Sequence, residues 1–256
     1  MRTLLLELRF DGEAYHGWQV QPNGLTVQEV LQNALEQVLG RREGVTGCSR
    51  TDAGVHARQF FCHLRTDHPI SPARLAAALN HFLPPSAAVL SCREVPADFH
   101  ARYSCRGKTY RYHIRNAAVR DPFLVGRCLL WPYPLPADLL HDAAQDFLGA
   151  HDFSAFCAAG SSADSKIRTV TRAEVRREGD DVFFFAAADG FLYHMVRIMA
   201  GTLLELAKTP DRCVPGRIAQ ILASQDRTQA GPTAPPAGLC LWEVRYGGDA
   251  WPKECS

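Results

Sequence analysis

The stretch Gly47-Cys48-Ser49-Arg50-Thr51-Asp52-Ala53-Gly54-Val55-His56-Ala57 organises this chain. Small residues on both sides of Asp52 let the backbone turn tightly and let a bulky ligand come close. Residues 58–65 then alternate enough to predict a strand that anchors the turn. A loop held by a rigid strand is a common place for a catalytic group. Asp-Ala-Gly is also typical of ordinary turns, so these residues alone leave both interpretations open.

Composition and length indicate a globular protein. The 256 residues suffice for one large domain or two medium ones, and 46% apolar and 21% charged content is typical of soluble proteins. Apolar runs are too short for a membrane span, and Glu7 and Arg9 interrupt the apolar start, so no signal peptide is expected. Nine cysteines without a CxxC pair argue against a disulfide framework and a zinc ribbon. We therefore expect a cytoplasmic protein with reduced thiols.

The charge distribution is more informative than the net charge of +1. Residues 99–120 contain no Asp or Glu, and their basic side chains alternate with aromatic ones. Basic groups neutralise phosphates, and aromatic faces stack on exposed bases, so this segment predicts RNA binding. A solvated region with some aromatic packing is the alternative. The residues concerned are Arg102, Arg106, Lys108, Arg111, Arg115 and Arg120, with Phe99, Tyr103, Tyr110 and Tyr112.

Strands and helices are predicted without the regular alternation of a nucleotide-binding sheet, which favours an α+β fold with an antiparallel sheet. A boundary near residue 100 divides the chain into 1–100 and 101–256. The predicted strands are 3–10, 58–65, 87–95, 108–114, a hairpin of 170–177 with 181–187, and 239–246. The predicted helices are 27–39 with Thr26 as cap and Gly40 as stop, 71–83, 138–148 ended by Gly149, 192–208 and 218–223.

Arg197 is the only charged residue between Phe191 and Leu204, on a helix that is apolar on nearly every side. An arginine cannot lose its charge, so its burial requires an anionic partner, such as a carboxylate from elsewhere in the chain. The alternative is an arginine that extends to the surface or pairs with a structural Asp or Glu.

Residues 50–56, Arg-Thr-Asp-Ala-Gly-Val-His, resemble the active-site signature of the TruA family of pseudouridine synthases, which act on the anticodon arm of transfer RNA. The resemblance extends over nearly the whole chain, although Ser49 and the pair Pro236-Ala237 depart from the common pattern. Other similar segments are 15–28, 107–112 (Gly-Lys-Thr-Tyr-Arg-Tyr), 151–156, 167–170, 191–197, 226–227, 230–235 and 238–239.

The resemblance implies a role for four residues. Asp52 would be the catalytic residue, and Arg197 would contact it and keep it ionised and aimed. Tyr110 would stack on the target base, whereas Tyr112, on the same strand face, is expected to be core. Arg50 would fill the space left by a flipped nucleotide or hold a phosphate.

The family also implies a fold and a reaction. Two similar α/β halves would share a mixed, largely antiparallel sheet with helices packed on it, and a central cleft would bind the RNA. A homodimer would convert uridine to pseudouridine at positions 38, 39 and 40 of tRNA, without cofactor or metal. Whether Asp52 attacks C1′ of the sugar, attacks C6 of the base, or begins by deprotonating C2′ stays open.

Three alternatives differ in class from this hypothesis. The chain could be a catalytically inert RNA-binding or RNA-folding protein, or a synthase that acts on another RNA. The weakest alternative is a metal hydrolase built on Asp52 and His56, which predicts inhibition by a chelator. For His56 itself, a structural role is the simpler interpretation.

Overall fold

The computed structural model describes residues 1–209, 214 and 216–247. These residues form a mixed α/β fold with ten strands and five helices. The chain forms two compact units, one comprising Met1–Arg106 and the segment that begins at Leu241, the other Gly107–Cys240. The halves predicted from the sequence, 1–100 and 101–256, stay a prediction.

The first unit is built on an antiparallel arrangement of β4 (Ala87–Val95), β1 (Arg2–Phe10) and β3 (His56–Thr66), in that order. The short strand β2 (Val45–Gly47) also pairs with β3, and β10 (Leu239–Tyr246) is the next neighbour of β3 in the sheet. Leu4, Leu6 and Leu8 of β1 are completely buried. The predicted strand at the start of the chain is therefore confirmed.

Helix α1 (Val27–Leu39) forms because its ends carry strong signals. The Thr26 hydroxyl accepts a hydrogen bond from the Glu29 N–H at 3.3 Å, and Gly40 ends the helix in the left-handed conformation, with φ +71°. Leu31 and Leu35 form its buried stripe. The second helix of this unit, α2 (Pro72–Phe82), begins with a proline in its first turn and is followed by Pro84-Pro85.

The second unit contains the antiparallel order β5 (Cys105–Arg115), β9 (Asp181–Ala188), β8 (Ile167–Glu178) and β7 (Gly149–Asp152). The two-residue strand β6 (Leu129–Leu130) runs parallel to β5, so the pairing is mixed. The helices are α3 (Ala137–Ala144), α4 (Met195–Lys208) and α5 (Arg217–Ser224). Phe147, Phe153, Phe156 and Phe184 are at most 1% exposed and form the core of this unit.

The predicted α+β fold with a mixed, largely antiparallel sheet is confirmed. One predicted helix, 138–148, is wrong in its extent, because α3 ends at Ala144 and a 3-10 turn, Gln145–Phe147, follows it. Gly149 does not cap that helix but begins β7, at φ +103°. Long-range contacts explain the early end: the Gln145 amide donates to the Ala173 carbonyl at 2.8 Å, and the Asp146 carboxylate accepts from the Ala219 N–H at 3.2 Å.

Candidate active site

Asp52 lies in the loop between β2 and β3, at the start of a tight turn. The Val55 N–H donates to the Asp52 carbonyl at 3.1 Å, and Gly54 adopts φ +78°, a conformation that favours glycine. At the other end of the loop, the Cys48 N–H donates to the Phe61 carbonyl at 2.7 Å. Asp52 is half-buried, whereas Arg50 is exposed. The predicted anchoring of the turn by the strand is thus confirmed.

A second segment, residues 11–18, lies against this turn and is called the backing segment below. The Trp18 N–H donates to the Thr51 carbonyl, and the Gly54 N–H donates to the Tyr15 carbonyl, both at 3.2 Å. The two bonds hold the backbone on either side of Asp52. The position of the aspartate therefore depends on main-chain contacts with a segment about 35 residues earlier in the sequence.

Two glycines make this close approach possible. A Cβ on Gly17 would lie 2.3 Å from the Thr51 carbonyl oxygen, and the residue adopts φ +82°. A Cβ on Gly12 would lie 2.1 Å from the Val55 carbonyl oxygen. Both distances are too short for any side chain, so the backing segment fits the turn only because these residues are glycine.

The backing segment is itself attached to helix α1. The N–H groups of Val27 and Gln28, at the start of the helix, donate to the carbonyls of Gly17 and Trp18, each at 3.1 Å. These helical N–H groups have no partner inside the helix, and the backing segment supplies one. The turn of Asp52 is therefore connected through main-chain hydrogen bonds to a well-capped helix.

His56 has a structural position in this arrangement. Its side chain is buried, and its Nδ1 accepts a hydrogen bond from the Gly12 N–H at 3.0 Å. A carboxylate oxygen of Asp11 also lies 3.1 Å from this Nδ1. The contact joins the first residue of β3 to the backing segment. Within the part of the chain that the structure describes, no three His, Cys, Asp or Glu side chains are grouped to hold a metal ion.

Arg197 lies in the first turn of α4, which begins at Met195 rather than at the predicted residue 192. Its Nε donates to the Ala234 carbonyl at 2.8 Å, and its own carbonyl accepts from the Ala234 N–H at 3.0 Å. The arginine is half-buried. The amino end of a helix disfavours a positive side chain, so an arginine held there forms, with the helix dipole, a site that favours an anion.

The loop of residues 230–235 is packed tightly on α4 and fixes this geometry. A Cβ on Gly201 would lie 1.7 Å from the Pro232 carbonyl oxygen, which excludes any side chain there. The Gly231 N–H donates to the Thr202 hydroxyl at 2.9 Å, and the Arg227 guanidinium donates to the Gly231 carbonyl at 2.9 Å. Ala234, and with it the direction of the Arg197 side chain, is set by these contacts.

Tyr110 lies on β5, opposite Ala186 of β9, and is 6% exposed. Its ring meets that of Phe191 edge to face, with centroids 5.1 Å apart. Tyr112 is completely buried, and its hydroxyl donates to the Pro235 carbonyl at 2.8 Å. Burial raises the pKa of Tyr112 well above its usual value, and the positive charge of Arg197 opposes this shift. Tyr112 is therefore a core residue, as predicted.

Comparison with known proteins assigns the family. The family model described as tRNA pseudouridine synthase matches residues 8–104 and 143–247. A tRNA pseudouridine synthase A of Clostridium acetobutylicum is 40% identical over 96% of this chain and 100% of its own length. The enzyme of that name from Exiguobacterium sibiricum is 42% identical over 96% of this chain and 97% of its own. That of Ruminiclostridium cellulolyticum is 43% identical over 96% and 100%. The chain belongs to the tRNA pseudouridine synthase family.

The proposed site residues of this tRNA pseudouridine synthase family member lie in both compact units. Arg50 and Asp52 share one loop of the first unit, and Tyr110 and Arg197 belong to β5 and α4 of the second. The family model covers Arg50, Asp52 and Arg197, whereas Tyr110 lies between its two matched segments. Sequence reasoning did not find the supporting contacts made by Gly12, by Trp18 and by the carbonyl of Ala234. The sequence signal for Gly12 and Gly17 was their place between the first strand and the capped helix, Gly12 just after the strand and Gly17 nearer the helix.

The basic and aromatic segment 99–120 is only partly available to a tRNA. Phe99, Tyr110 and Tyr112 are buried, and Lys108 is 9% exposed. Arg115 is paired with Asp180 at 3.1 Å and with Asp181 at 3.0 Å. Tyr103 is 76% exposed, and Arg102, Arg106 and Arg120 are also exposed.

None of the helices in the described part of the chain has the length and apolar character that a membrane-spanning helix needs.

Proposed function

We propose that this chain converts uridine to pseudouridine in tRNA, with Asp52 as the catalytic residue. The observation that carries the proposal is the turn of Asp52, held from both sides by the Trp18 N–H and the Tyr15 carbonyl. A catalytic carboxylate must be held in a fixed position relative to the reacting bond, and this turn provides such rigidity from main-chain bonds alone. Membership of the tRNA pseudouridine synthase family supports the same assignment.

The reaction is an isomerisation, so its atoms and electrons balance without a co-reactant. The bond between N1 of uracil and C1′ of the ribose breaks, and a bond between C5 and C1′ forms. A proton leaves C5, and N1 gains one. No cofactor or metal is required by this balance. Asp52 would promote the cleavage of the first bond.

The target uridine must leave the base stack before its glycosidic bond can be reached, at a cost of about a few kcal/mol. We propose that Tyr110 stacks on the extruded base and that Arg50 holds a phosphate or fills the vacated space. The exposed position of Arg50, two residues from Asp52, supports its role. The central RNA-binding cleft, inferred from the family, belongs to the same proposal.

Arg197 is proposed to stabilise the ionised carboxylate of Asp52. Its location in the first turn of α4 supports this role, because the helix amino end and the guanidinium together favour an anion. The hydrogen bond from Nε to the Ala234 carbonyl orients the planar guanidinium, a group whose geometry suits a carboxylate.

We propose positions 38, 39 and 40 of the anticodon stem-loop as the sites, the cytoplasm as the location, and a homodimer as the active form. Val119, Phe123 and Val125 of the second unit are 77%, 86% and 56% exposed, and an exposed apolar surface of this kind supports association between copies.

The test compares the wild type with Asp52→Asn on an unmodified tRNA that carries uridines at 38 to 40. Pseudouridine is mapped with a chemical adduct that stops reverse transcription, and tRNA binding is measured in parallel. The wild type is expected to modify the tRNA, and Asp52→Asn is expected to bind it without modification. If both bind and neither modifies, the chain is an RNA-binding protein and the proposal fails. Modification of another RNA only would reject the anticodon assignment.

A further inference from the structure

The turn of residues 99–104, called the Tyr103 turn below, has an unusually complete set of hydrogen bonds for a surface loop. All six of its N–H groups have acceptors. The Phe99 N–H donates to the Pro96 carbonyl at 3.0 Å, and the Ser104 N–H donates to the His100 carbonyl at 2.8 Å. The His100 N–H donates to the Ser104 hydroxyl at 3.1 Å.

The ring of His100 fixes the centre of the turn. Its Nδ1 accepts from the N–H groups of Arg102 and Tyr103, at 3.2 and 3.3 Å. The ring of Tyr103 lies against the ring of His100, with centroids 4.3 Å apart and planes 32° from parallel. The orientation of the tyrosine ring is thus defined by a histidine that is itself held by main-chain bonds.

Ala101 attaches the turn to the core of the first unit. Its N–H donates to His63 Nδ1 at 3.2 Å, and its carbonyl accepts from the Tyr246 hydroxyl at 2.7 Å. Burial, followed by the electrostatic influence of the neighbouring His100 and Arg65, lowers the pKa of His63 to about 4, so its ring is neutral and can accept this bond. Ala101 is completely buried.

This rigid support presents a side chain to solvent, because Tyr103 is 76% exposed. An ordered turn is normally stabilised by the burial of its aromatic ring, but the ring of Tyr103 remains mostly in solvent. Preorganisation of an exposed aromatic ring instead lowers the entropy cost of binding a planar partner. The turn therefore has the properties of a binding surface rather than of a packing element.

The charges around the ring identify the class of partner. The Arg102 guanidinium lies 5.8 Å from the centre of the Tyr103 ring, and Arg65 and Arg106 of the same unit are exposed. Arg65 donates to the Ala97 carbonyl at 3.4 Å, and Asp98 is an exposed carboxylate beside the turn. A positive charge thus lies beside the aromatic ring, and Arg65, which contacts Ala97, and Arg106, two residues after the turn, add two more against the one carboxylate of Asp98. Such a surface fits an unpaired base attached to a phosphodiester chain.

We infer that the Tyr103 turn is a stacking platform for one unpaired nucleotide of the tRNA, with Arg102 beside it for the phosphate. The inference rests on the proposed function, since it takes a tRNA as the substrate. It adds a residue for tRNA binding that is separate from the four assigned to the chemistry. Because Tyr103 does not act on the reacting bond, its loss should weaken binding and leave the rate at saturating tRNA unchanged.

The experiment measures the Kd for unmodified tRNA and the kcat and KM of pseudouridine formation for Tyr103→Leu and Tyr103→Phe. The matched control is Phe82→Leu, at a 47% exposed aromatic residue of the same unit whose ring lies edge to face with that of His81. Tyr103→Leu is expected to raise Kd and KM about tenfold, with kcat unchanged. Tyr103→Phe, which keeps the stacking face, and the control are expected to match the wild type. Thermal melting checks that all variants fold.

Salt dependence separates stacking from charge. Tyr103→Leu should leave the slope of log Kd against log salt concentration unchanged, whereas Arg102→Gln should reduce it by about one phosphate contact. The inference is overturned if Tyr103→Leu binds as the control does, or if Tyr103→Phe is as weak as Tyr103→Leu. It is also overturned if the only effect of Tyr103→Leu is a change in the oligomeric state of the protein, because the turn would then be a contact between copies. Absence of modification by the wild type would instead reject the proposed function.

Discussion

Asp52, the proposed catalytic residue, and Arg197, proposed to stabilise its ionised form, are positioned in different ways. The turn of Asp52 is held by main-chain hydrogen bonds to the backing segment and by the close approach of Gly12 and Gly17. Arg197 is held through its side chain as well as its main chain, because its Nε donates to the Ala234 carbonyl and its own carbonyl accepts from the Ala234 N–H. The loop that supplies this carbonyl also needs a glycine, Gly201, for its close approach, but it is held in addition by the polar side chains of Thr202 and Arg227.

The difference shows which sequence changes each site should tolerate. The position of Asp52 depends on residues that lack a side chain, so adding even one carbon atom there should move the carboxylate. The position of Arg197 depends on a particular donor geometry, so a change of side chain with the same charge should be enough to disturb it.

The largest effect is expected for Gly17→Ala. The new Cβ would lie 2.3 Å from the Thr51 carbonyl oxygen, and the residue would have to keep φ +82° or shift. The free energy of unfolding should fall by about 2–4 kcal/mol, and pseudouridine formation should be largely lost. Urea unfolding measures the first effect, and the adduct-stop assay measures the second.

Gly40→Ala is the matched control. Gly40 has a similar φ, +71°, but nothing lies within 4 Å of a Cβ built there. Its loss of stability should be limited to about 1 kcal/mol, with activity retained, because only the backbone conformation is strained. Equal losses for the two variants would show that the close approach at Gly17 has no importance of its own.

A smaller effect is expected for Arg197→Lys. Lysine keeps the positive charge but lacks the Nε donor and the planar group. The hydrogen bond to the Ala234 carbonyl and the orientation of the charged group are therefore lost together. We expect kcat/KM to fall about 10- to 100-fold, with little change in tRNA binding. Arg217→Lys, at the start of α5, is the control and should have no effect. Full activity of Arg197→Lys would mean that charge alone suffices.

The smallest effect, and one of opposite sign, is expected for Thr51→Val. The Thr51 hydroxyl is buried and has no hydrogen-bond partner within the described residues, although its carbonyl is bonded to Trp18. A buried hydroxyl without a partner destabilises the protein, and valine has nearly the same shape. The free energy of unfolding in urea should therefore rise by about 1 kcal/mol. Thr51→Ser keeps the hydroxyl and loses a methyl group, so it should not be stabilised.

The sequence predicted those parts of the fold whose signals are local. Helix α1 was predicted correctly because Thr26 and Gly40 are clear signals of its two ends. The predicted boundaries of strands β4 and β10 agree with those in the structure. The end of α3 was missed because it depends on Gln145 and Asp146 bonding to residues far along the chain. No local pattern contains that information.

The same limit applies to the candidate site. Asp52 and Arg197 were found as candidates because a motif and a lone charge single them out. The Arg197 side chain donates to the carbonyl of Ala234, a backbone group that any residue would supply. The identity of residue 234 therefore does not indicate this contact. The burial of Tyr110 and Lys108 also escaped prediction, because a basic and aromatic strand has the same sequence whether its faces are covered or open.

The two places where the chain crosses between the compact units have a consequence for synthesis on the ribosome. The chain leaves the first unit within β5 and returns to it within β10, and β10 is a neighbour of β3, the strand that begins after the Asp52 turn. The nascent chain therefore cannot complete the unit that carries the aspartate until all of the second unit has been translated. A translation product that stops before Leu239 would contain every residue of the motif and still lack the finished scaffold around it.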